Sequence, residues 1–580
     1  MFSCAFRQRS RHGSHRYSYT MMTSIAIAII CLLYLLYTFA IPQLTRFRFR
    51  SDLSPYDLGI HGFGPSRSYV SFEYESPEVE IFEWGSGCDD RFTFLAPRGD
   101  SIAHPGPMIL DAKGDLVWMK WNWGTTQNFQ VQRYRGEDYL TYWEGSTVEG
   151  RSEGLWYMLD SSYTQRYEIS PIGYSGGDLH EFHITKDDTA LVTIYDPVLT
   201  DLSSVGGSER GWIHDGVFQD IDIETGELLF EWRASDHFAI NATYEPLGGD
   251  GKERSTGFDF FHINSADKDE EGNYLISSRH LHAVILIDRE TGNVTWVLGG
   301  KLNEFTDLSD GQATNFAWQH DARLHENGSL TLFDNSVHSR KDPEISSRGV
   351  SIQLDISART AALNTAYYHP QDMRAVSQGN VQILDTGNAF VGWGHSAAYS
   401  EFTPDGQPVC DVHYGASAYY SFGRVQSYRI SKGTWVGRPH TLPDAVVVDD
   451  HIYASWNGAT EIVAWQLEVW DLQDIDGMTF NVIDTVPKGG FETAIEIPED
   501  MGSPYFRVTA LDTHGEALGI SEVLQRGQRF NLADVLVSHY WMLTAGFVAS
   551  GAGVALGVCR WFRHRRAKYH LVALDEDGRV

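Results

Sequence analysis

Between about residues 90 and 425, apolar and polar positions alternate in short runs, the period of β-strands with one buried face. Within this region one unit recurs. It reads as a short strand, a turn built on Asp, Glu, Asn or Gly, an apolar strand, a strand ending in Asp, a Gly turn, and a strand ending in an aromatic residue. The clearest copy spans residues 261–300 (FHINSADKDEEG, NYLISSRH, AVILIDRETG, NVTWVLGG). A second runs from LHEFHITKDDT to ELLFEWRA, and a third from WQHDARLHENG to AALNTAYYH. The strand-ending Asp recurs at Asp111, Asp160, Asp222, Asp288, Asp355 and Asp405, at intervals of about 50 to 67 residues. That interval holds one four-stranded antiparallel sheet with its loops. A lone sheet cannot bury both faces. Radial packing of six does so, and closing the ring protects the edges. The pattern predicts an all-β fold with a six-bladed β-propeller over residues 65–425. An array of β-sandwiches is the other arrangement the spacing allows.

Past residue 440 the alternation continues at a different spacing. AVVVDDHIYASWNG, VAWQLEVWDL, FNVIDTV, TAIEIP and YFRVTALDTHGEALGISEV predict a β-sandwich over residues 440–525 that resembles a fibronectin type III module. Trp456 and Tyr505 are its expected core aromatics.

Two runs follow neither pattern. Residues 22–41 carry no charge and are long enough to cross a hydrocarbon core of about 30 Å. Residues 535–559 form a second uncharged run, interrupted only by His539. Arg7, Arg9, Arg11 and Arg16 precede the first, and Arg560, Arg563, Arg565, Arg566 and Lys568 follow the second. Both runs are therefore expected to be transmembrane helices. The tails 1–21 and 560–580 should be cytosolic, and the propeller luminal or extracellular. Arg46, Arg48 and Arg50 pull the other way at the first run, where a cleaved signal peptide is the alternative.

Composition narrows the class. Aromatic residues make up 13% of the chain and Gly numbers 55, which suits a turn-rich β protein. With 45 basic against 77 acidic residues, the net charge is −32. That balance argues against nucleic acid as a partner, since phosphate binding needs clustered Lys and Arg. Asn241, Asn293 and Asn327 begin N-glycosylation sequons within the middle region. Of the five cysteines, only Cys88 and Cys410 would meet an oxidising compartment. Ring closure would make the first and last blades neighbours, so these two are expected to form a disulfide that latches the ring. Two free buried thiols are the alternative.

Aligned by the first turn of each unit, His180, His262 and His320 occupy one position, about seven to ten residues before the turn. Gln378 and Asn380 take a similar place in one other unit, and Gln130 or Gln132 in another. The first strand of a blade is its innermost, so these residues should line one ring around the channel. Arg279 lies on the strand after His262. A buried Arg needs an anionic counterpart, either an oxyanion ligand or a structural carboxylate. Several His, one Arg and amide side chains suit sulfate or phosphate. Three His could also make a zinc site, but no nearby Cys or carboxylate pattern completes one, so no metal or cofactor is expected.

The run FHINSADKDEEGNYLISSRHLHAVILIDRETGNVTWVLGG, with DLHEF, WQHDAR and LFDN, resembles the arylsulfotransferase family. The layout with membrane spans is similar to its fungal membrane-anchored branch. The resemblance covers roughly residues 65–425. It implies sulfuryl transfer from an aryl sulfate to a phenolic acceptor, without a nucleotide donor, through a sulfo-histidine. It assigns the nucleophile to His320, and supporting roles to His262, Arg279 and His180. The alternative is a membrane-anchored propeller ectodomain that binds a ligand or partner and catalyses nothing.

Overall fold

The computed structural model describes residues 29–34 and 53–526, apart from 86, 122–124, 149–150, 338–344, 472–478, 500 and 502. Within them the protein is almost wholly β-strand, with a few short 3₁₀ turns. Six sheets account for residues 80–433. In the first, Ile430–Gly433 pairs with Phe92–Leu95, followed by Met108–Leu110 and Leu116–Met119. The second holds Thr125–Tyr134, Glu137–Val148, Arg151–Leu159 and Gln165–Ile169. The third holds Phe182–Ile184, Thr189–Thr200, Gly211–Asp222 and Leu228–Arg233. The fourth holds Ile263–Lys268, Tyr274–Ser278, Ala283–Ile287 and Val294–Leu298. In the fifth, His320–Leu324 leads Ser329–Asp334, Arg348–Asp355 and Thr360–Tyr368, with Thr306–Asp307 on its outer edge. In the sixth, Asn380–Ile383 leads Ala389–Gly392, Ala398–Phe402 and Pro408–His413, with Glu80–Glu83 outermost. Each sheet touches the next through its leading strand, and the sixth touches the first.

The repeat seen in the sequence has a local cause. Asp111, Asp160, Asp222, Asp288 and Asp355 each end a third strand and accept backbone N–H bonds in the turn to the fourth; Thr164 donates to Asp160 at 3.1 Å and Thr291 to Asp288 at 2.8 Å. Asp405 lies within the corresponding turn of the sixth sheet.

One boundary differs from expectation. The leading strand of the first sheet is Ile430–Gly433, so the ring extends past residue 425. This strand comes from the far end of the repeat region, while the outer strand of the sixth sheet, Glu80–Glu83, comes from its start. The ring is thus sewn shut from both ends of the chain. Cys88 and Cys410 sit at this seam, joined as a disulfide with Cα atoms 5.0 Å apart and 322 residues between them. At the same seam His413 lies between Asp57, at 2.7 Å, and Asp411, at 3.0 Å. Burial opposes its charge, but the two carboxylates outweigh it and raise the imidazole to about 10. Residues 54–57 are pinned to the sixth sheet by this charge.

The leading strands of neighbouring sheets splay apart and do not form ladders with one another, leaving backbone groups to be satisfied. Amide side chains do this. Gln132 accepts from Ile184 N–H at 2.7 Å and donates to Phe182 O at 2.9 Å. Asn380 makes the same pair of bonds to Ile430, and Gln382 to Lys432. Gln132 and Asn380, expected to line the channel, are stitches between sheets.

Residues 444–525 form two further sheets, of three and five strands, around Ile452, Trp465, Leu467, Ile495 and Phe506. Trp456 is buried as expected. Tyr505 is only half-buried, and its neighbour Phe506 takes the core position. Asn457 binds this unit to the ring through both Met119 N–H and Met119 O, each at 2.9 Å.

The first expected span, residues 22–41, is described only at 29–34, which are helical; the second, 535–559, and both tails lie outside the described residues. Among the described residues no helix is long and apolar enough to cross a membrane. Asn241, Asn293 and Asn327 are all exposed.

Removing the seam disulfide is expected to destabilise the ring. In the chain-entropy view a bridge over so long a loop is worth about 4–5 kcal/mol. The double variant Cys88→Ser, Cys410→Ser should therefore melt below the oxidised wild type, and reductant should lower only the wild-type transition. Equal melting temperatures would show that the two pairs of seam strands hold the ring alone.

Candidate active site

Residues at or just before the start of five leading strands, His180, His262, His320, Gln378 and Tyr428, come together. Asn128, within the leading strand of the second sheet, lies instead against Arg429, at 3.2 Å, and lines the cavity described below. The ring centroids of His180 and His262 are 4.9 Å apart. Tyr428 lies 5.6 Å from His180 and 6.3 Å from His320. The backbone N–H of Gln378 donates to His320 Nε2 at 3.3 Å. All six are buried. Asn128, His262 and Gln378 have φ of 56°, 53° and 66°, a left-handed conformation costly for residues other than Gly. The leading strands are also bulged at Gln127/Gln130, Ile263/Ser265 and His320/Arg323. Such irregularities re-aim side chains, and here they lie beside the axis.

Each histidine is oriented through Nδ1. His180 Nδ1 bonds Asp178, and His262 Nδ1 bonds Asp259. The same carboxylates accept the backbone N–H of their histidines, at 3.0 and 2.9 Å. Burial, reinforced by His280 and His180, outweighs Asp259 and pushes the His262 imidazole down to about 4. His262 is therefore neutral at pH 7, with its proton on Nδ1 toward Asp259 and a lone pair on the buried Nε2, which has no hydrogen-bond partner. His320 differs. Its Nδ1 faces two neutral oxygens, Trp318 O at 2.8 Å and Asn335 Oδ1 at 2.7 Å.

Arg279 is fully buried. Its guanidinium lies 3.8 Å from the centre of the Trp318 ring, and Nη1 is 3.0 Å from His280 Nε2. His280 Nδ1 donates to Asp259 O at 2.6 Å, so its Nε2 carries the lone pair that accepts from Arg279. His280 in turn packs 4.6 Å from His262. Asp259, His262 and His280 bring possible ligand atoms within 4.8 Å of one another; in this arrangement His262 Nδ1 bonds the Asp259 carboxylate and His280 Nδ1 the Asp259 carbonyl.

One residue further along the leading strands, the axis is filled by charge. Glu181 accepts from Arg429 Nη1 at 2.7 Å and from Arg323 Nη2 at 2.7 Å. Asp321 accepts from Arg323 Nε at 2.9 Å and lies 3.4 Å from Arg429 Nε. Burial would raise the Glu181 carboxyl, but the two guanidinium groups win and lower it to about 2. Beyond this quartet a cavity of about 240 Å³ opens, lined by His183, Arg323, His325, Arg429 and Lys432 among others. The quartet is a floor that separates this cavity from the histidines.

Sequence reasoning placed His180, His262 and His320 at one position, and the structure gathers them at one end of the axis with Gln378. Gln130 lines the cavity beyond the quartet. Reasoning missed Tyr428, which follows the last repeat, and the residues that orient the histidines. A signal for two of these was present: Asp precedes His in both GDLH and FDFFH, whereas WQH lacks it.

Residues 130–415 match the family described as Arylsulfotransferase (ASST). This region belongs to the arylsulfotransferase family. The match includes His180, His262, Arg279, His320 and Asn335, and ends before Tyr428 and Arg429. Arylsulfotransferases are transferases, whose activity implies aryl sulfate and phenol substrates. No curated protein matches the chain. Among solved structures, a protein of unknown function from Bacteroides caccae is 13% identical, covering 59% of this chain and 98% of its own, with a TM-score of 0.34. A Lactobacillus plantarum protein is 11% identical (70% and 100% covered, TM-score 0.32). The dihydro-heme d1 dehydrogenase NirN is 10% identical (76% and 74% covered, TM-score 0.28). At these scores the likenesses say nothing of this arylsulfotransferase region's chemistry.

The charged floor gives a direct stability test. Glu181→Gln leaves Arg323 and Arg429 buried without their shared carboxylate, a loss of about 3–5 kcal/mol. Because the folded-state value lies below the ordinary 4.5, this contribution is complete above about pH 4.5 and is lost as pH falls toward 2. Wild-type melting temperature should fall across that window, and the variant, already low at pH 7, should change less. A Glu181→Gln melt matching wild type at pH 7 would remove the quartet's structural role.

Proposed function

We propose that this protein is an aryl-sulfate sulfotransferase. In this reading its six sheets are the blades of a six-bladed β-propeller, and its reaction passes through a sulfo-histidine at His320 in the axial channel. The observation that carries this is the convergence of three buried histidines in a chain whose ring matches a sulfotransferase family. No nucleotide sulfate donor enters the scheme.

The chemistry follows from the proton positions. His320 holds its proton on Nδ1, between Trp318 O and Asn335 Oδ1, so Nε2 carries the lone pair. Nε2 attacks the sulfur of an aryl sulfate; the N–S bond forms, the S–O(aryl) bond breaks, and its electron pair leaves with the phenolate. A phenol acceptor then attacks the same sulfur, the N–S bond breaks, and the pair returns to Nε2. As the acceptor attacks, its proton passes to the lone pair of His262 Nε2, oriented by Asp259, and the leaving phenolate of the next donor takes it up. His180, held by Asp178 and packed on His262, is the second group able to carry that proton. Arg279, held by stacking on Trp318, offers planar N–H donors to the sulfuryl oxygens as negative charge shifts.

The two uncharged runs, the three exposed sequon asparagines and the Cys88–Cys410 bridge support a membrane-anchored enzyme with its propeller on the luminal or extracellular side.

The assignment of His320 is tested with nitrophenyl sulfate, a phenol acceptor and a labelled sulfuryl group. Wild type should release nitrophenol and carry label on His320. In His320→Asn the amide nitrogen takes the place of Nδ1, so the fold should hold while label and turnover vanish. Label on His262, or an Asn variant that turns over, would move the nucleophile elsewhere; a wild type that neither turns over nor labels would favour a binding ectodomain.

Arg279→Lys keeps a positive charge but loses the planar fork and the stacking on Trp318. We expect kcat/KM to fall by roughly 10²–10³, the usual cost of one oxyanion donor, with a small change in melting temperature. A large fall in melting temperature with the activity of the folded fraction intact would make Arg279 a structural residue.

A further inference from the structure

We infer that Asn335 is the positioning residue for the nucleophile. It holds the His320 proton on Nδ1 and, being neutral where the other two histidines face carboxylates, keeps the sulfuryl carrier distinct from the proton carriers. This rests on the proposed role of His320.

Asn335 directly follows Ser329–Asp334, the strand that pairs with the His320 strand, and is itself fully buried. Its amide cannot turn over. Nδ2 donates to Ala375 O at 2.8 Å and to Gln378 O at 3.0 Å, both on the segment that enters the sixth sheet. Ser347 Oγ bonds both Asn335 O, at 3.0 Å, and Ala375 O, at 3.1 Å, which fixes the same junction. With Nδ2 committed to two carbonyls, Oδ1 must be the atom that faces His320. Two oxygens at Nδ1 can only accept, so the ring proton sits there and the lone pair sits on Nε2. The same residue thus sets both the tautomer of His320 and the place of Gln378, whose N–H touches Nε2.

Among the described residues, the carboxylates next in sequence to His320 and Asn335 are themselves paired. Asp321, next on its own strand, is bound by Arg323. Asp334, beside Asn335, is bound by Arg348 at 3.0 Å and accepts the Ala317 and Ser336 N–H groups. Tyr428 approaches from the first sheet, and Arg279 lies across Trp318. The oxygen at Nδ1 is therefore the nearest lever on the charge of the ring.

The reaction explains why an amide suits this place. Attack by Nε2 leaves a sulfo-imidazolium, positively charged and still protonated at Nδ1. A carboxylate there would stabilise that cation and make nitrogen a poorer leaving group when the phenol attacks. It would also favour imidazolium in the empty enzyme, which has no lone pair to attack with. At His180 and His262, whose task is to hold and release protons, the same carboxylate is an advantage.

Asn335→Asp should move the acidic limb of the kcat/KM profile upward by about one to two pH units. Labelled sulfo-His320 should persist longer, so that turnover falls while the burst of nitrophenol keeps its size. Asn335→Leu removes the acceptor and should lower kcat/KM by roughly 10–100-fold at constant KM. Wild-type protein with ¹⁵N-histidine offers a reading that needs no variant: the His320 signals should report a protonated Nδ1 and an unprotonated Nε2. An Nε2–H tautomer, or an Asp variant with the wild-type pH profile and label lifetime, would overturn the inference. Failure to label His320 in wild type would instead overturn the assignment of the nucleophile on which it rests.

Discussion

The buried pairing of Glu181 with Arg323 and Arg429 is the constraint on which the rest of the ring depends. Leading strands that run side by side along an axis cannot hydrogen-bond to one another as a sheet does, so the centre of a ring is where backbone groups and voids are hardest to satisfy. Here the centre is filled with charge. Glu181 comes from the third sheet, Asp321 and Arg323 from the fifth, and Arg429 from the first. Arg323 reaches Ala266 O and Arg429 reaches Asn264 O, both in the fourth, and Arg429 also reaches Asn128 in the second. Five of the six sheets therefore meet in one network. Desolvating four charges offsets much of their attraction, so the network adds little net stability over an apolar plug. What it adds is register: none of these five sheets can slide along the axis without breaking a bond to a buried ion.

That register places the histidines. His180 precedes Glu181, His320 precedes Asp321, and Tyr428 precedes Arg429, so these three residues are each carried by a neighbour that is locked into the floor. The backbone beside this floor is left-handed at Asn128, His262 and Gln378. Strain of this kind persists only where surrounding structure over-determines it. The amide stitches of Gln132, Asn380 and Gln382 and the seam at Cys88–Cys410 supply that determination from the side.

Much of this was legible in the sequence because it repeats. The Asp turn recurs since it solves the same local problem six times, and the three histidines recur at one position since the leading strands are equivalent. The unread parts do not repeat. Ile430–Gly433 has no Asp turn after it, because the chain leaves for the next unit, and its ring residue is Tyr428, not His. Gln132 and Asn380 have the right residue type for a channel, but their side chains face the backbone of a neighbouring leading strand. Tyr505 and Phe506 are the same error in the second unit: an alternation one residue out of phase exchanges the core face for the surface. Asn335 lies on a different strand from His320, and only the antiparallel pairing of the two brings it to Nδ1.

The two layers at the axis use arginine in opposite ways. In the floor, Arg323 and Arg429 face carboxylates, and their charge is cancelled within the protein. Beside the histidines, Arg279 lies against an indole face and an imidazole nitrogen. An indole face holds a guanidinium in place through its quadrupole while leaving its field directed elsewhere. The imidazole that faces it is neutral, and so is His262 beside that. In the proposed reaction this guanidinium meets the single negative charge that an aryl sulfate carries. The ions of the floor are balanced by one another, so Arg279 and the floor arginines are held by different means.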